Sequence, residues 1–474
     1  MRRAAAGLAA AALLLTGCTS GDGGTEPTEE TSPTEAAAAR VDEPVEDRVY
    51  PDVGDPGVDV LSYHLDLDWD PATQTLTGAE TLRIRATARA SQIQLDLGEP
   101  LEVTDVDVGG VRATFDHDGK DLVIHQRVLP NRRYLVHIDY SGTPAAVPSP
   151  TERTDIASVG WTVAPSGQVW TMQEPFGAYT WYAVNDQPSD KATYSFRISA
   201  PSPAVGVANG ELVSRRERDG RTITAWELDS PASSYLVTVA IGEFTMTEDE
   251  SASGLPMSYW TPADRPELID RMREAPAAVD WLEERLGPFP FDSLGYLVVD
   301  SSSGMETQTM ITLGDTRYAT SPEVLVHEAA HQWYGDLVTP RDWRDVWMNE
   351  GMAMYLQGVW TAEHRGPSLE ALMDEWATYD STLRGDSGPP ADYDPEDFGA
   401  ANVYYIPAVM WDELRQRIGD DEFWRLVREW PQANAYGNAG YDDITAWWSE
   451  QTGEDLSAFF DTWLLSETTP AADS

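Results

Sequence analysis

Two histidines four residues apart, with a glutamate further along the chain, constrain this sequence more than any other feature. Residues 327–331 read HEAAH, and Glu350 follows after eighteen intervening residues. Side chains four positions apart lie on one face of an α-helix, because four residues make about one turn. His327 and His331 can therefore bind one metal ion, with Glu350 from a second helix as the third ligand.

Three protein ligands leave one coordination position open, which is typical of a catalytic zinc ion and not of a structural one. Two imidazoles and a carboxylate suit Zn²⁺, one ion per chain. Glu328 lies beside the first histidine, where it can take a proton from water. A capping Ser321, then Pro322 and the acidic Glu323, predict that a helix begins here. The alternative is a solvated helix whose histidines and glutamate have no such role.

The composition limits the partners of the protein. The chain has 474 residues, enough for two or three domains, and a formal net charge of −48. Nucleic acid is excluded as an expected partner, because its phosphates attract Lys and Arg. The same charge argues against electrostatic docking on anionic lipid.

The single cysteine, Cys18, indicates export and a lipid anchor. It follows a short basic start and an apolar run over residues 4–15, which is too short to span a bilayer. Residues 15–18 read LTGC and resemble a bacterial lipobox. We therefore expect residues 1–18 to be a lipoprotein signal peptide, with the mature protein extracytoplasmic and lipid-anchored to the bacterial cell membrane. The alternative is an ordinary signal peptide with an incidental cysteine.

The rest of the chain divides by its pattern into a tether and two domains. Residues 19–49, rich in Gly, Thr, Glu, Pro and Ala, predict a disordered acidic tether. Residues 50–247 alternate apolar and polar positions, which predicts an N-terminal antiparallel β-sandwich. Residues 248–474 predict a helix-rich domain. Its expected elements are a helix at 266–286, a strand at 294–299 and helices near 403–418, 422–430, 443–450 and 456–464.

The segment HEAAHQWYGDLVTPRDWRDVWMNEG, residues 327–351, resembles the zinc segment of a known family. These are the zinc aminopeptidases typified by aminopeptidase N and leukotriene A4 hydrolase, which are gluzincin metallopeptidases, and the resemblance covers about residues 50–464. It implies an α+β multidomain fold, with a saddle-shaped N-terminal β domain followed by a thermolysin-like catalytic domain. Large members carry a further helical domain. Too few residues follow the catalytic helices here, so we expect two domains and a more open site that admits longer peptides.

Two shorter segments are similar to the substrate-binding segments of that family. Residues 303–307, SGMET, resemble the family's Gly-Ala-Met-Glu-Asn, and residues 172–175, MQEP, resemble its Gln-Phe-Glu-Pro. The resemblance implies that Glu306 and Glu174 hold the free α-amine of a peptide. It also implies that the backbone near Gly304 pairs with the substrate. Met305 either lines the pocket for the first side chain or packs in the core.

Residues 404–407, YYIP, match the family's Tyr-Glu-Lys-Gly only at the tyrosine. The resemblance implies that Tyr404 donates a hydrogen bond to the oxyanion, although Tyr405 is an alternative. Thr307 replaces the family's Asn, which leaves the positioning of the substrate open. Asp345 is expected either to orient a zinc-bound histidine or, as the favoured alternative, to be an exposed acid at a helix start.

Together these features predict a zinc metallo-aminopeptidase acting on peptides with a free N-terminus. One alternative is a zinc endopeptidase of the same superfamily, and another is a non-catalytic peptide-binding lipoprotein. Epoxide hydrolysis, as in one relative, is a remote third. N-acetylated peptides distinguish the aminopeptidase from the endopeptidase, because only the aminopeptidase needs a free amine.

Overall fold

The computed structural model describes residues 43–470, in which a β-rich half precedes a helix-rich half. Cys18, the predicted signal peptide and the tether up to residue 42 lie outside the described residues. The strands of the β-rich half are β1 (Val58–Asp70), β2 (Thr75–Ala86), β3 (Ile93–Asp96), β4 (Leu101–Val108), β5 (Val111–Arg112), β6 (Phe115–Asp118), β7 (Asp121–Ile124), β8 (Arg133–Gly142), β9 (Val147–Pro148), β10 (Ser158–Val163), β11 (Val169–Met172), β12 (Lys191–Pro201), β13 (Val205–Ala208), β14 (Glu211–Arg218), β15 (Arg221–Ser233) and β16 (Val239–Gly242).

An eight-stranded sheet in the order β14-β15-β12-β1-β2-β8-β4-β5 forms the largest layer of this half. A five-stranded sheet, β13-β16-β11-β10-β9, and a three-stranded sheet, β3-β7-β6, complete it. Buried and more accessible residues alternate along β2, as the period-two pattern predicts. One strand pair departs from the expected antiparallel arrangement, because β1 and β12 are parallel. These strands are far apart in the sequence, so no hairpin forces them to run in opposite directions.

The second half contains a mixed sheet in the order β17-β18-β19-β21-β20 and a set of helices. Its strands are β17 (Phe244–Glu250), β18 (Pro256–Pro262), β19 (Leu294–Val299), β20 (Gly304–Met305), β21 (Met310–Gly314), β22 (Thr339–Pro340) and β23 (Asn438–Ala439). Its α-helices are α1 (Ala275–Leu286), α2 (Pro322–Ala330), α3 (Trp347–His364), α4 (Leu369–Ala377), α5 (Asp380–Ser387), α6 (Asn402–Ile418), α7 (Asp420–Ala433), α8 (Tyr441–Thr452) and α9 (Ser457–Leu464).

The α+β architecture is the one predicted from the sequence, but the boundaries of some elements differ. The expected helix over residues 266–286 is divided into a 3₁₀-helix, Pro266–Met272, and α1. Pro276 explains the division: a proline has no backbone N–H and is tolerated only in the first turn of an α-helix, so α1 has to begin beside it. In addition, the predicted boundary after residue 247 falls inside β17, which pairs with β18 of the second half.

Residues 43–49 do not belong to a disordered tether, although the sequence predicted that they would. Asp47 is 2% exposed, and its carboxylate accepts hydrogen bonds from the backbone N–H groups of Val49, Tyr50 and Trp343 at 2.8–2.9 Å. Arg48 forms an ion pair with Asp342. The low-complexity composition extends to residue 49 and gives no sign of order. The carboxylate of Asp47 nevertheless fixes the segment against the second half through these hydrogen bonds.

Among residues 43–470, no helix is both long enough and apolar enough to cross a membrane. Buried apolar side chains of both halves belong to one large cluster that runs from Val49 to Leu464. Contacts between the halves therefore belong to the core of the molecule.

Candidate active site

Residues 327–330 of the HEAAH segment form the last turn of α2, and His331 is the C-cap. The helix begins where the sequence predicted. The Ser321 hydroxyl caps the helix by accepting a hydrogen bond from the backbone N–H of Val324. One helical turn brings the Nε2 atoms of His327 and His331 to 3.2 Å from each other. Glu350, in the first turn of α3, places Oε2 at 3.2 Å from His327 Nε2 and 3.3 Å from His331 Nε2.

The geometry of these three donor atoms fits a tetrahedral zinc ion. A tetrahedron with metal–ligand distances of about 2.0–2.1 Å has edges of roughly 3.3–3.4 Å, close to the observed triangle. His331 Nδ1 lies 3.0 Å from the carbonyl oxygen of Tyr334, to which it can donate its proton. That bond leaves the lone pair of Nε2 free to coordinate a metal. The donor set is therefore chemically and geometrically suited to Zn²⁺.

A cavity of about 380 Å³ opens in front of this triangle, and Glu328 lines it together with the three donors. Glu328 is only 7% exposed. Burial raises the pKa of Glu328 to about 8, against the opposing effect of the charge on His331. A carboxylate whose proton affinity is raised in this way is a stronger base than an exposed one.

Tyr404, in the first turn of α6, donates a hydrogen bond from its hydroxyl to Glu350 Oε1 at 3.0 Å. Helices α3 and α6 approach closely at Gly351, which follows Glu350. A Cβ atom at Gly351 would lie 2.5 Å from Cβ of Pro407. Tyr405 also lines the cavity, but its ring packs on those of Trp376 and Tyr379. Of the two tyrosines, Tyr404 is thus the one whose hydroxyl reaches a donor of the metal triangle.

Glu174 follows β11 and Glu306 follows β20, and the two carboxylates meet at the wall of the cavity. One oxygen atom of each lies within 4.8 Å of the other and of a Glu350 oxygen. Oε1 of Glu174 and Oε1 of Glu306 have no hydrogen-bond partner among the described residues. Burial raises the pKa of both carboxyl groups, and the neighbouring Glu306 raises that of Glu174 further. Such a pair favours a cationic ligand.

The residues of the segment 303–307 lie in different surroundings. Gly304 lines the cavity in β20, the edge strand of its sheet, so one side of its backbone is unpaired. Met305 is buried and is not among the residues that line the cavity, which agrees with core packing. Thr307 is fully buried, and its hydroxyl contacts the carbonyl group of Met310 and the hydroxyl of Thr312. Thr307 therefore supports the turn and does not face the cavity.

Both expectations for Asp345 are wrong. Asp345 is 1% exposed, so it is not an exposed acid at a helix start. Its carboxylate accepts a hydrogen bond from the backbone N–H of Tyr441 at 3.0 Å and pairs with Arg48 at 3.3 Å. It therefore orients neither histidine and instead ties three separate segments of the chain together.

Sequence reasoning missed Arg153 and Asp155, which lie between β9 and β10 and line the cavity. Arg153 Nη1 donates to the Tyr404 hydroxyl oxygen at 3.1 Å. No motif marks this arginine, and 251 positions separate it from Tyr404, so only the folded chain reveals the contact.

The fold and the two-histidine, one-glutamate site are typical of the class of zinc metallopeptidases. The family profile described as the Peptidase M1 N-terminal domain matches residues 60–236, and that of the Peptidase family M1 domain matches residues 272–463. This chain belongs to peptidase family M1, as the resemblance of its zinc segment indicated.

Curated relatives include aminopeptidase N of Streptomyces lividans, 23% identical over 447 residues, which cover 85% of this chain and 50% of the relative. Glutamyl aminopeptidase of Homo sapiens is 26% identical over 330 residues, 62% of this chain and 34% of the relative. The chain thus spans about half the length, or less, of these relatives.

Solved structures share the fold over most of this chain. The M1 zinc metallopeptidase from Deinococcus radiodurans superposes with a TM-score of 0.81 at 25% identity, covering 91% of this chain and 99% of that one. Yeast leukotriene A4 hydrolase superposes with a TM-score of 0.72 at 20% identity, over 87% of this chain and 69% of that one. The second similarity concerns the fold alone.

Proposed function

We propose that this protein is a zinc aminopeptidase that removes the first residue from peptides with a free α-amine. The observation that carries the proposal is the position of Glu174 and Glu306: one oxygen of each lies within 4.8 Å of a Glu350 oxygen. Oε1 of each has no hydrogen-bond partner among the described residues. An ammonium group held there places the first peptide bond, and no later one, beside His327 and His331. A mid-chain amide offers no charge to this pair.

Each residue of the site has its own role in the proposed reaction. His327, His331 and Glu350 would hold the ion, and zinc when bound supplies Lewis-acid activation of water and of the scissile carbonyl group. Glu328 takes a proton from the attacking water and passes it to the leaving amine. Tyr404 turns its hydroxyl from Glu350 toward the oxyanion that develops on the carbonyl oxygen. The unpaired edge of β20 at Gly304 aligns the peptide by main-chain hydrogen bonds.

Similar proteins support this assignment. The curated relatives are named aminopeptidases, and a two-domain M1 zinc metallopeptidase 25% identical to this chain was solved with the amino acid L-tryptophan bound. We infer that this chain likewise binds a free amino acid, the first product, between the acidic pair and the metal donors. We also infer that the site admits peptides longer than dipeptides; hydrolysis confined to dipeptides contradicts this.

The decisive experiment compares free and N-acetylated forms of the same peptides, with and without a chelator. We expect hydrolysis of the free peptides only, loss of activity with chelator and recovery with Zn²⁺. Cleavage of acetylated peptides at internal bonds would instead identify an endopeptidase. Zinc-loaded protein that binds peptides without cleaving any would identify a peptide-binding lipoprotein.

We further propose that the mature protein is extracytoplasmic and anchored to the bacterial membrane through an acylated Cys18. The proposal is supported by the LTGC sequence at residues 15–18 after a short apolar run. Metabolic labelling with an alkyne fatty acid should mark the wild-type protein and leave Cys18→Ala unmarked. Unlabelled wild-type protein in the soluble fraction would contradict the proposal.

A further inference from the structure

We infer that Arg153, a residue of the β-rich half, is a positioning residue that orients the hydroxyl group of Tyr404 toward the reacting carbonyl. The inference rests on the proposed function and adds to it a contribution from the other half of the molecule. Among the described residues, Arg153 forms no hydrogen bond or ion pair with the three metal donors, and its hydrogen bond toward them is the one to Tyr404.

The direction of the hydrogen bonds carries the argument. A guanidinium group has only donors, so in the 3.1 Å contact the Tyr404 oxygen accepts a hydrogen bond from Arg153 Nη1. The single phenolic proton must then point elsewhere, and it points to Glu350 Oε1 at 3.0 Å, on the side of the metal donors. With its oxygen held by Arg153, the hydroxyl keeps its proton on the side of the metal donors, so it has only to exchange Glu350 for the oxyanion when substrate binds.

A neighbouring carboxylate fixes Arg153 in place. Asp155 Oδ1 accepts from Arg153 Nε at 3.2 Å, and Oδ2 accepts from Nη2 at 2.7 Å, a bidentate pair. Asp155 Oδ2 also accepts from the Ser303 hydroxyl at 3.0 Å, next to β20. The loop is tied to the second half again through Pro150, whose carbonyl oxygen accepts from the backbone N–H of Phe398 at 3.0 Å.

A different role for Arg153, binding the carboxylate of a short substrate, fits these contacts less well. Its two Nη1 protons are used by Tyr404 and by the carbonyl oxygen of Gly399 at 3.3 Å, and Nε and Nη2 are used by Asp155. A guanidinium carries five N–H donors, so little capacity remains for a bidentate contact with a substrate carboxylate.

A double-mutant cycle with Arg153→Met and Tyr404→Phe tests the inference. Removing the Tyr404 hydroxyl group in Tyr404→Phe should lower kcat about a hundredfold, as the loss of one oxyanion donor does. Arg153→Met should lower kcat about tenfold, the value of one charge-assisted hydrogen bond, with KM changed less than about twofold. The double variant should be no slower than Tyr404→Phe alone, because the effect of Arg153 requires the phenol. Arg153→Lys should be intermediate. Independent, multiplicative losses would overturn the inference.

The controls separate positioning from structural damage. Arg112→Met removes the same charge from an exposed ion pair with Asp105 far from the cavity, and it should leave kcat unchanged. Zinc content and thermal melting of Arg153→Met should match the wild type. A rise in KM confined to peptides with a free C-terminal carboxylate, and absent for their amides, would assign Arg153 to substrate binding and refute positioning.

A binding measurement decides the matter without turnover. A phosphonamidate peptide places a tetrahedral oxygen where the oxyanion develops, whereas a free amino acid does not. Calorimetry should show that Arg153→Met binds the phosphonamidate about tenfold more weakly and the amino acid equally well. Equal loss for both ligands, or for neither, would reject the role of Arg153. Absence of hydrolysis by the wild type would reject the proposed function, and the titration would still test the positioning role.

Discussion

Glu328 shows how one residue acquires a chemical role from its surroundings. Its carboxylate lies within 4.8 Å of donor atoms of His331 and Glu306, and it lines the cavity while remaining almost completely buried. Burial raises its pKa to about 8. Its position beside the metal donors suits a group that takes a proton from water and later returns it to an amine.

Replacing Glu328 by Gln should lower kcat at least about a hundredfold, because an amide cannot accept the proton in a general-base step. Zinc should still bind, since the three donors are unchanged. Steady-state kinetics and elemental analysis of the purified variant measure the two effects. Glu323→Gln on the same helix, whose carboxylate pairs with Arg365 away from the cavity, serves as the matched control. Unchanged hydrolysis by Glu328→Gln would rule out this mechanism.

The sequence predicted the residues of the site whose relationship is local or carried by a motif. His327, Glu328 and His331 share one helical turn, so their arrangement follows from their spacing alone. Glu174 and Glu306 emerged only through resemblance to a family, because 132 positions separate them and either alone resembles a surface acid. Arg153 could not be predicted, since its role depends on a loop of the first half reaching α6.

At the level of secondary structure, short-range rules placed most elements correctly and failed where one residue overrides the pattern. The strand expected at residues 294–299 is β19 at the same positions. Pro276 divides the expected long helix, and the apolar periodicity on either side does not reveal this. Helix propensity does not explain Gly351, which is needed because α6 packs against α3 at that position.

The docked segment around Asp47 offers a test at this level. The Asp47 carboxylate accepts hydrogen bonds from three backbone N–H groups, so Asp47→Ala leaves these N–H groups without partners. Burial also raises the pKa of Asp47, which offsets part of the gain from these bonds. We expect the free energy of unfolding to fall by about 2 kcal/mol, measured by urea denaturation. Asp52→Ala, at an exposed neighbour, should have little effect. Equal stability of both variants would show that residues 43–49 contribute nothing to the fold.

At the scale of the whole molecule, the two halves are joined at the metal site itself. Lys191 of the first half donates to the carbonyl oxygen of Asp336 at 2.7 Å, a few residues after His331. The hydroxyl of Tyr235 donates to the carbonyl oxygen of Gly335 at 3.2 Å, and its ring packs against Trp343. The loop after α2 is thus supported by the β-rich half, so disorder in that half would disturb the zinc ligands.

This coupling predicts how the protein responds to loss of its metal. An ion that binds only the folded state stabilises it by about 4 kcal/mol at a free concentration a thousand times its Kd. Because both halves share one buried core, calorimetry should show a single unfolding transition whose Tm falls by several degrees with chelator. Zn²⁺ should restore it and Mg²⁺ should not, since imidazole ligands disfavour magnesium. Glu350→Gln should respond weakly to zinc. Two transitions, of which only one moves with zinc, would show instead that the halves unfold independently and that the contacts of Lys191 and Tyr235 do not couple them.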